Sequence, residues 1–97
     1  MNVQPSDATV EAEVAIATLT GEWHAPGYSK SGTFKWCGKA IGFIIMHRAA
    51  TIGALLTLYE GTRLAAQKSC VVQSIDELKQ TAVAWGVRAA LQGAGQP

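Results

Sequence analysis

From Ala40 to Tyr59 the chain is mostly apolar, and its apolar positions fall into a helical phase. Ile41, Ile44, Ile45, Ile52, Leu55, Leu56 and Tyr59 lie within an arc of roughly 120° when each residue advances about 100° around an axis. The pattern predicts a helix from Trp36 or Lys39 to about Ser69, continuous or broken near residues 47–50. A second helix starts at Ser74. In Ser74-Ile75-Asp76-Glu77 the serine can accept from the third helical amide while the glutamate reaches back to the serine amide. Ile75, Leu78, Ala82, Trp85 and Ala89 then share one face at three- and four-residue steps.

Nearer the N-terminus the pattern is divided. Val10, Ala12, Val14 and Ile16 alternate with Glu11, Glu13, Ala15 and Ala17 as in a half-buried strand, whereas the alanine content favours helix. Helix is the reading taken for residues 7–20, with Ser6 or Asp7 as its cap and Gly21 at its left-handed end. Residues 21–35 break every period with Gly21, Pro26, Gly27, Ser29, Ser31 and Gly32, and form the principal loop, with room for a short β-hairpin. The expected fold is therefore mainly α: one small domain over residues 1–97 with three to four helices, frayed at 1–6 and 93–97.

Composition adds a surplus of apolar surface. Of the 97 residues 48% are hydrophobic and only 15% charged, against about 25% charged in a typical soluble domain. A chain this short hides only about 60–70% of its unfolded surface, so self-association is expected. The net charge of +1 gives no electrostatic argument for nucleic acid. The N-terminus lacks the basic start and apolar run of a secretory signal, which points to the cytoplasm and to reduced Cys37 and Cys70, read as small buried hydrophobes. Ala40 to Tyr59 raises the question of a membrane span. His47 and Arg48 interrupt it, an arginine there costing about 2.5–3.5 kcal/mol, and no membrane partner is expected.

Candidate chemistry is sparse. No motif joins the two histidines, two cysteines and seven carboxylates, so no enzyme activity, metal or cofactor is expected; a Cys-His pair from Cys37 or Cys70 with His24 or His47 is the weakest of the options. Gly38, Gly42, Ala49 and Gly53 fall within roughly 60° of one another on the expected helix, a smooth stripe that suits close approach of another helix. Arg48 and Arg63 project onto the apolar arc and require snorkelling of their aliphatic stems, a break in the helix, or acidic partners. The loop interleaves Trp23, Tyr28, Phe34 and Trp36 with Lys30 and Lys35, a set that could receive a partner or fold as a lid over the core.

Two functions follow as expectations. The first is a non-enzymatic helical interaction module, a homodimer acting as a small inhibitor or adaptor of an unidentified larger protein. The alternative is a small nucleic-acid-binding regulator, using helix-turn-helix-like spacing over residues 62–80 or the aromatic and lysine segment 23–39. Against the helix-turn-helix, Lys68 falls where the first helix must be buried, and Val71, Val72, Gln73, Asp76 and Glu77 offer no cations to phosphate.

Overall fold

The computed structural model describes residues 7–25, 30–48 and 50–93. Five strands lie between two helices: α1 (Asp7–Thr20), β1 (Glu22–His24), β2 (Ser31–Trp36), β3 (Lys39–Arg48), β4 (Thr51–Glu60), β5 (Arg63–Val72) and α2 (Ile75–Gly93). The sheet order is β1-β2-β3-β4-β5, every pair antiparallel, so strands adjacent in sequence are adjacent in space. The expectation of a mainly helical protein is overturned. Residues 39–69, expected as helix, form β3, β4 and most of β5, and residues 21–35, expected as the principal loop, contain β1 and all of β2 but its last residue, paired as a hairpin.

Side-chain shape accounts for the difference. Ile41, Phe43, Ile44, Ile45, Thr51, Ile52, Thr57 and Tyr59 are β-branched or aromatic, types that fit a pleated sheet better than a helix. Short turns join the strands. Cys37 and Gly38, at φ 48° and 74°, make the two-residue turn with both central residues left-handed that suits the twist of a hairpin. Gly61, at φ 66°, is the first of two residues between Glu60 and Arg63, the position that the second favoured hairpin turn reserves for glycine. Arg48 pairs with Thr51, again leaving two residues between strands.

One face of the sheet carries the core. Phe34, Ile41, Leu56 and Leu58 are fully buried there beneath Leu78, Ala82 and Val87 of α2. α2 crosses β3, β4 and β5, and α1 packs against α2. Gly86 sets the depth of α2 on the sheet, because a Cβ at that position would collide with Cδ1 and Cγ1 of Ile41. Gly21 follows α1 with its N–H bonded to the carbonyl of Ala17 at 2.7 Å. Its φ is not positive, contrary to the left-handed end expected; its bare Cα instead makes room for the Phe34 ring.

The start of α2 is capped much as its sequence predicts. Ser74 Oγ accepts from the Glu77 amide at 3.1 Å, while the Glu77 carboxylate accepts from the amide of Gln73, one residue before the serine, at 2.8 Å. Replacing Ser74 with alanine is expected to cost about 1 kcal/mol in chemical denaturation, with Ser74→Asp recovering most of it. Equal stability of the serine and alanine forms would show that the hydroxyl contributes nothing.

Candidate functional site: the open face of the sheet

Both helices pack on the Phe34 and Leu56 side, which leaves the opposite face of the sheet without a covering layer. Residues of alternate parity point there: Ser31, Thr33 and Lys35 from β2; Ala40, Gly42, Ile44 and Met46 from β3; Gly53, Leu55, Thr57 and Tyr59 from β4; and Leu64, Gln67, Ser69 and Val71 from β5. Ala65 is the extra residue of a bulge that opposes Leu58 and Tyr59 to Ala66 and Leu64.

An antiparallel sheet covered on one side normally turns polar residues to solvent. Here the outward positions include Ile44, Met46, Leu64 and Val71, exposed by 51, 49, 46 and 58%. Ile44, Met46 and Val71 form a connected patch at one end, since Ile44 pairs with Leu55, Met46 with Gly53, and Gly53 with Val71, while Leu64, opposite Tyr59, lies toward the other end. Beside it, bare Gly42 floors a shallow concavity of about 460 Å³ walled by Thr33, Thr57, Tyr59 and Gln67. Thr57 is itself buried, and a Cβ on Gly42 would come within 2.7 Å of its Oγ1. Among the described side chains on this side, the ionisable ones, Glu22, His24 and Lys35, belong to β1 and β2.

The residues singled out from sequence are dispersed. Phe34 and Trp36 are core, and Trp23 is half-buried against them, its ring 4.7 Å from Phe34 and 5.9 Å from Phe43. The ammonium groups of Lys79 and Lys39 stand 5.4 and 5.8 Å from the rings of Trp23 and Trp36. The aromatic cluster is thus packing, with Lys30 and Lys35 exposed around it. Tyr28 and Ala49 lie outside the described residues, and Arg48 ends β3. Arg63 is satisfied within the chain by Glu60 at 3.2 Å.

Gly38, Gly42 and Gly53 share no helix: Gly38 is in a turn, Gly42 and Gly53 are in neighbouring strands, and the helical groove drawn through them and Ala49 does not form. The helix-turn-helix spacing over 62–80 falls across β5 and the start of α2, so its first helix does not form either.

Cys37 is exposed at its turn rather than buried, and Cys70 is half-buried on β5; both are free thiols. Burial pushes the Cys70 thiol above its usual range, outweighing the pull of Lys68 in the other direction, with Glu77 adding to the rise, so its thiolate is disfavoured at neutral pH. Among the described residues His24 approaches Glu22, at 3.9 Å, and it lies on the edge strand opposite the one that carries Cys70. Among the described residues no three His, Cys, Asp or Glu side chains converge, and no helix is long and apolar enough to cross a membrane. Set against protein-family models, characterised proteins and solved structures, the chain matches none.

Sequence reasoning missed Met46, Leu55 and Val71 as members of one surface. The available signal was apolar residues at both parities of a β-branched run, the mark of a strand with two faces to cover.

Proposed function

We propose that the protein is a non-enzymatic interaction module that works as a homodimer, two copies stacking their open sheet faces. The observation that carries the reading is the set of half-exposed apolar side chains, Ile44, Met46 and Val71 together with Leu64 farther along the same face, where solvent would leave polar residues. Three features favour a second copy as the occupant. Between Ala40 and Met46 of β3, Gly53 and Tyr59 of β4, and Leu64 and Val71 of β5 the outward positions carry no charge, so a two-fold axis through this stretch sets no like charges against each other there. Relief is self-complementary: Ile44 stands two residues from bare Gly42 on the same strand, and an axis near Phe43 places each copy's Ile44 over the other's Gly42. The extent is adequate. Strands of this length, rising about 3.3 Å per residue and spaced about 4.8 Å, give β2 to β5 roughly 600 Å² of flat sheet. Side-chain relief brings this toward the about 800 Å² per partner of a stable interface.

Sedimentation equilibrium tests the reading. The native chain is expected to be a dimer, and Ile44→Lys or Val71→Lys is expected to give a monomer with an unchanged far-ultraviolet circular dichroism spectrum, since both side chains already meet solvent in the single chain. A native chain that stays monomeric at its highest soluble concentration would remove the proposal, as would lysine variants that dimerise normally. The role as an inhibitor or adaptor then belongs to whatever surface the dimer leaves free.

A further inference from the structure

On the other side of the molecule the helical layer leaves part of β5 uncovered. Leu56 and Lys68 are direct partners across β4 and β5 and point to the same inner face, yet Leu56 is fully buried and Lys68 exposed. The space left over is a cleft of about 580 Å³ between α1 and α2, within the range of about 300–1,000 Å³ that takes small organic ligands. Val10, Val14 and Ala15 of α1 face Ala84 and the half-buried Trp85 of α2 across it.

Charge at this cleft is asymmetric. Among the described residues that line it, Lys68 and Arg88 stand against one carboxylate, that of Glu11, a net charge of one positive. Lys68 is the lone charged residue among the inner positions Ala66, Lys68, Cys70 and Val72 of β5. No carboxylate among the described residues lies within ion-pair distance of its ammonium group. A lysine placed on the apolar side of an edge strand also guards that edge against pairing with other chains; edge protection alone, however, does not call for an apolar cleft walled by a tryptophan beside it.

We infer that the cleft between α1 and α2 binds a small monoanionic amphipath, a carboxylate with an aliphatic or aromatic body, its head on Lys68 and its body between Val14, Ala84 and Trp85. A single negative charge matches the net charge of the lining, and a strongly hydrated dianion would meet Glu11 without enough cations to offset it. The apolar walls supply the affinity and the ammonium fixes the orientation.

The test is a calorimetric titration of the full chain with decanoate below its micellar concentration, with decanol and decylammonium as isosteres of different charge. Decanoate is expected to bind saturably at one per chain, at least tenfold more tightly than decylammonium, with decanol between them. Lys68→Glu should lower decanoate affinity at least tenfold at an unchanged circular dichroism spectrum, and Ala84→Trp, which fills the cleft, should abolish binding. Equal binding of decanoate and decylammonium in the native chain would overturn the inference. So would unsaturable uptake, no uptake, or full affinity in Lys68→Glu. The cleft lies on the opposite side from the proposed dimer face, so Ile44→Lys should bind decanoate as the native chain does. Dimerisation and ligand binding therefore stand or fall separately.

Discussion

Truncating Phe34 to alanine is expected to cost about 3–5 kcal/mol of folding stability, read as a fall in the urea midpoint at constant slope. Phe34 is fully buried, its ring lies 4.7 Å from that of Trp23, and bare Gly21 is shaped to it at the end of α1. One side chain thus ties α1, β1 and β2 to the core. Against the about 5–15 kcal/mol that holds a domain folded, the loss is large enough to leave a substantial unfolded fraction at physiological temperature. Phe34→Leu should keep most of the buried area and cost less than half as much. A midpoint unchanged in the alanine variant would mean that the β1 and β2 hairpin is not part of the cooperative core.

The second large effect has a sign that separates two kinds of cause. In an exposed helix, Gly86→Ala would stabilise by up to about 1 kcal/mol through helix propensity. In α2 the added methyl meets Ile41, which is fully buried and cannot swing into solvent. Overpacking typically costs about 1–3 kcal/mol, so a net loss of stability is expected. Pairing it with Ile41→Val, which removes the Cδ1 atom in the way, should return part of that loss, giving a non-additive double-mutant cycle. A more stable Gly86→Ala chain would show that α2 rides higher on the sheet than its contact with Ile41 implies.

α2 was legible in the sequence because its signals are local: Ser74 and Glu77 lie three residues apart and cap the helix whatever surrounds it. β3 and β4 were not, because what decides them is tertiary. Their inner residues, Ile41, Phe43, Ile45, Ile52, Ala54, Leu56 and Leu58, alternate as strands should. Ile44, Met46 and Leu55 fill outward positions with apolar side chains and erase the contrast on which the two-residue period depends. The remaining pattern also fits a helical arc. Density of β-branched residues was the better guide, together with Cys37-Gly38 and Gly61-Thr62 as turns that require positive φ.

The candidate surfaces were half legible. Excess apolar character pointed to an unsatisfied surface, but helical phase placed it on a groove through Gly38, Gly42, Ala49 and Gly53. Gly42 stays in the reading for a different reason, as the hollow beside Ile44. Lys68 was visible as a misfit among apolar residues, and the register opposite Leu56 gives that misfit a location.

α1 and α2 run antiparallel: Val10 shares a cleft with Arg88, while Thr18 shares another with Asp76 and Lys79. The first turn of α1 therefore lies beside the last turns of α2, although the two are the most distant parts of the described sequence. All other neighbours along the chain are joined by tight hairpins or short links, apart from β1 and β2. The seven elements thus close into a ring with respect to connectivity. A short peptide joining residue 93 to residue 7, with the backbone cut between Gly61 and Thr62, would preserve every strand pairing and the helix contact. The permuted chain is therefore expected to fold to the same sheet, read as an unchanged circular dichroism spectrum and a cooperative urea transition.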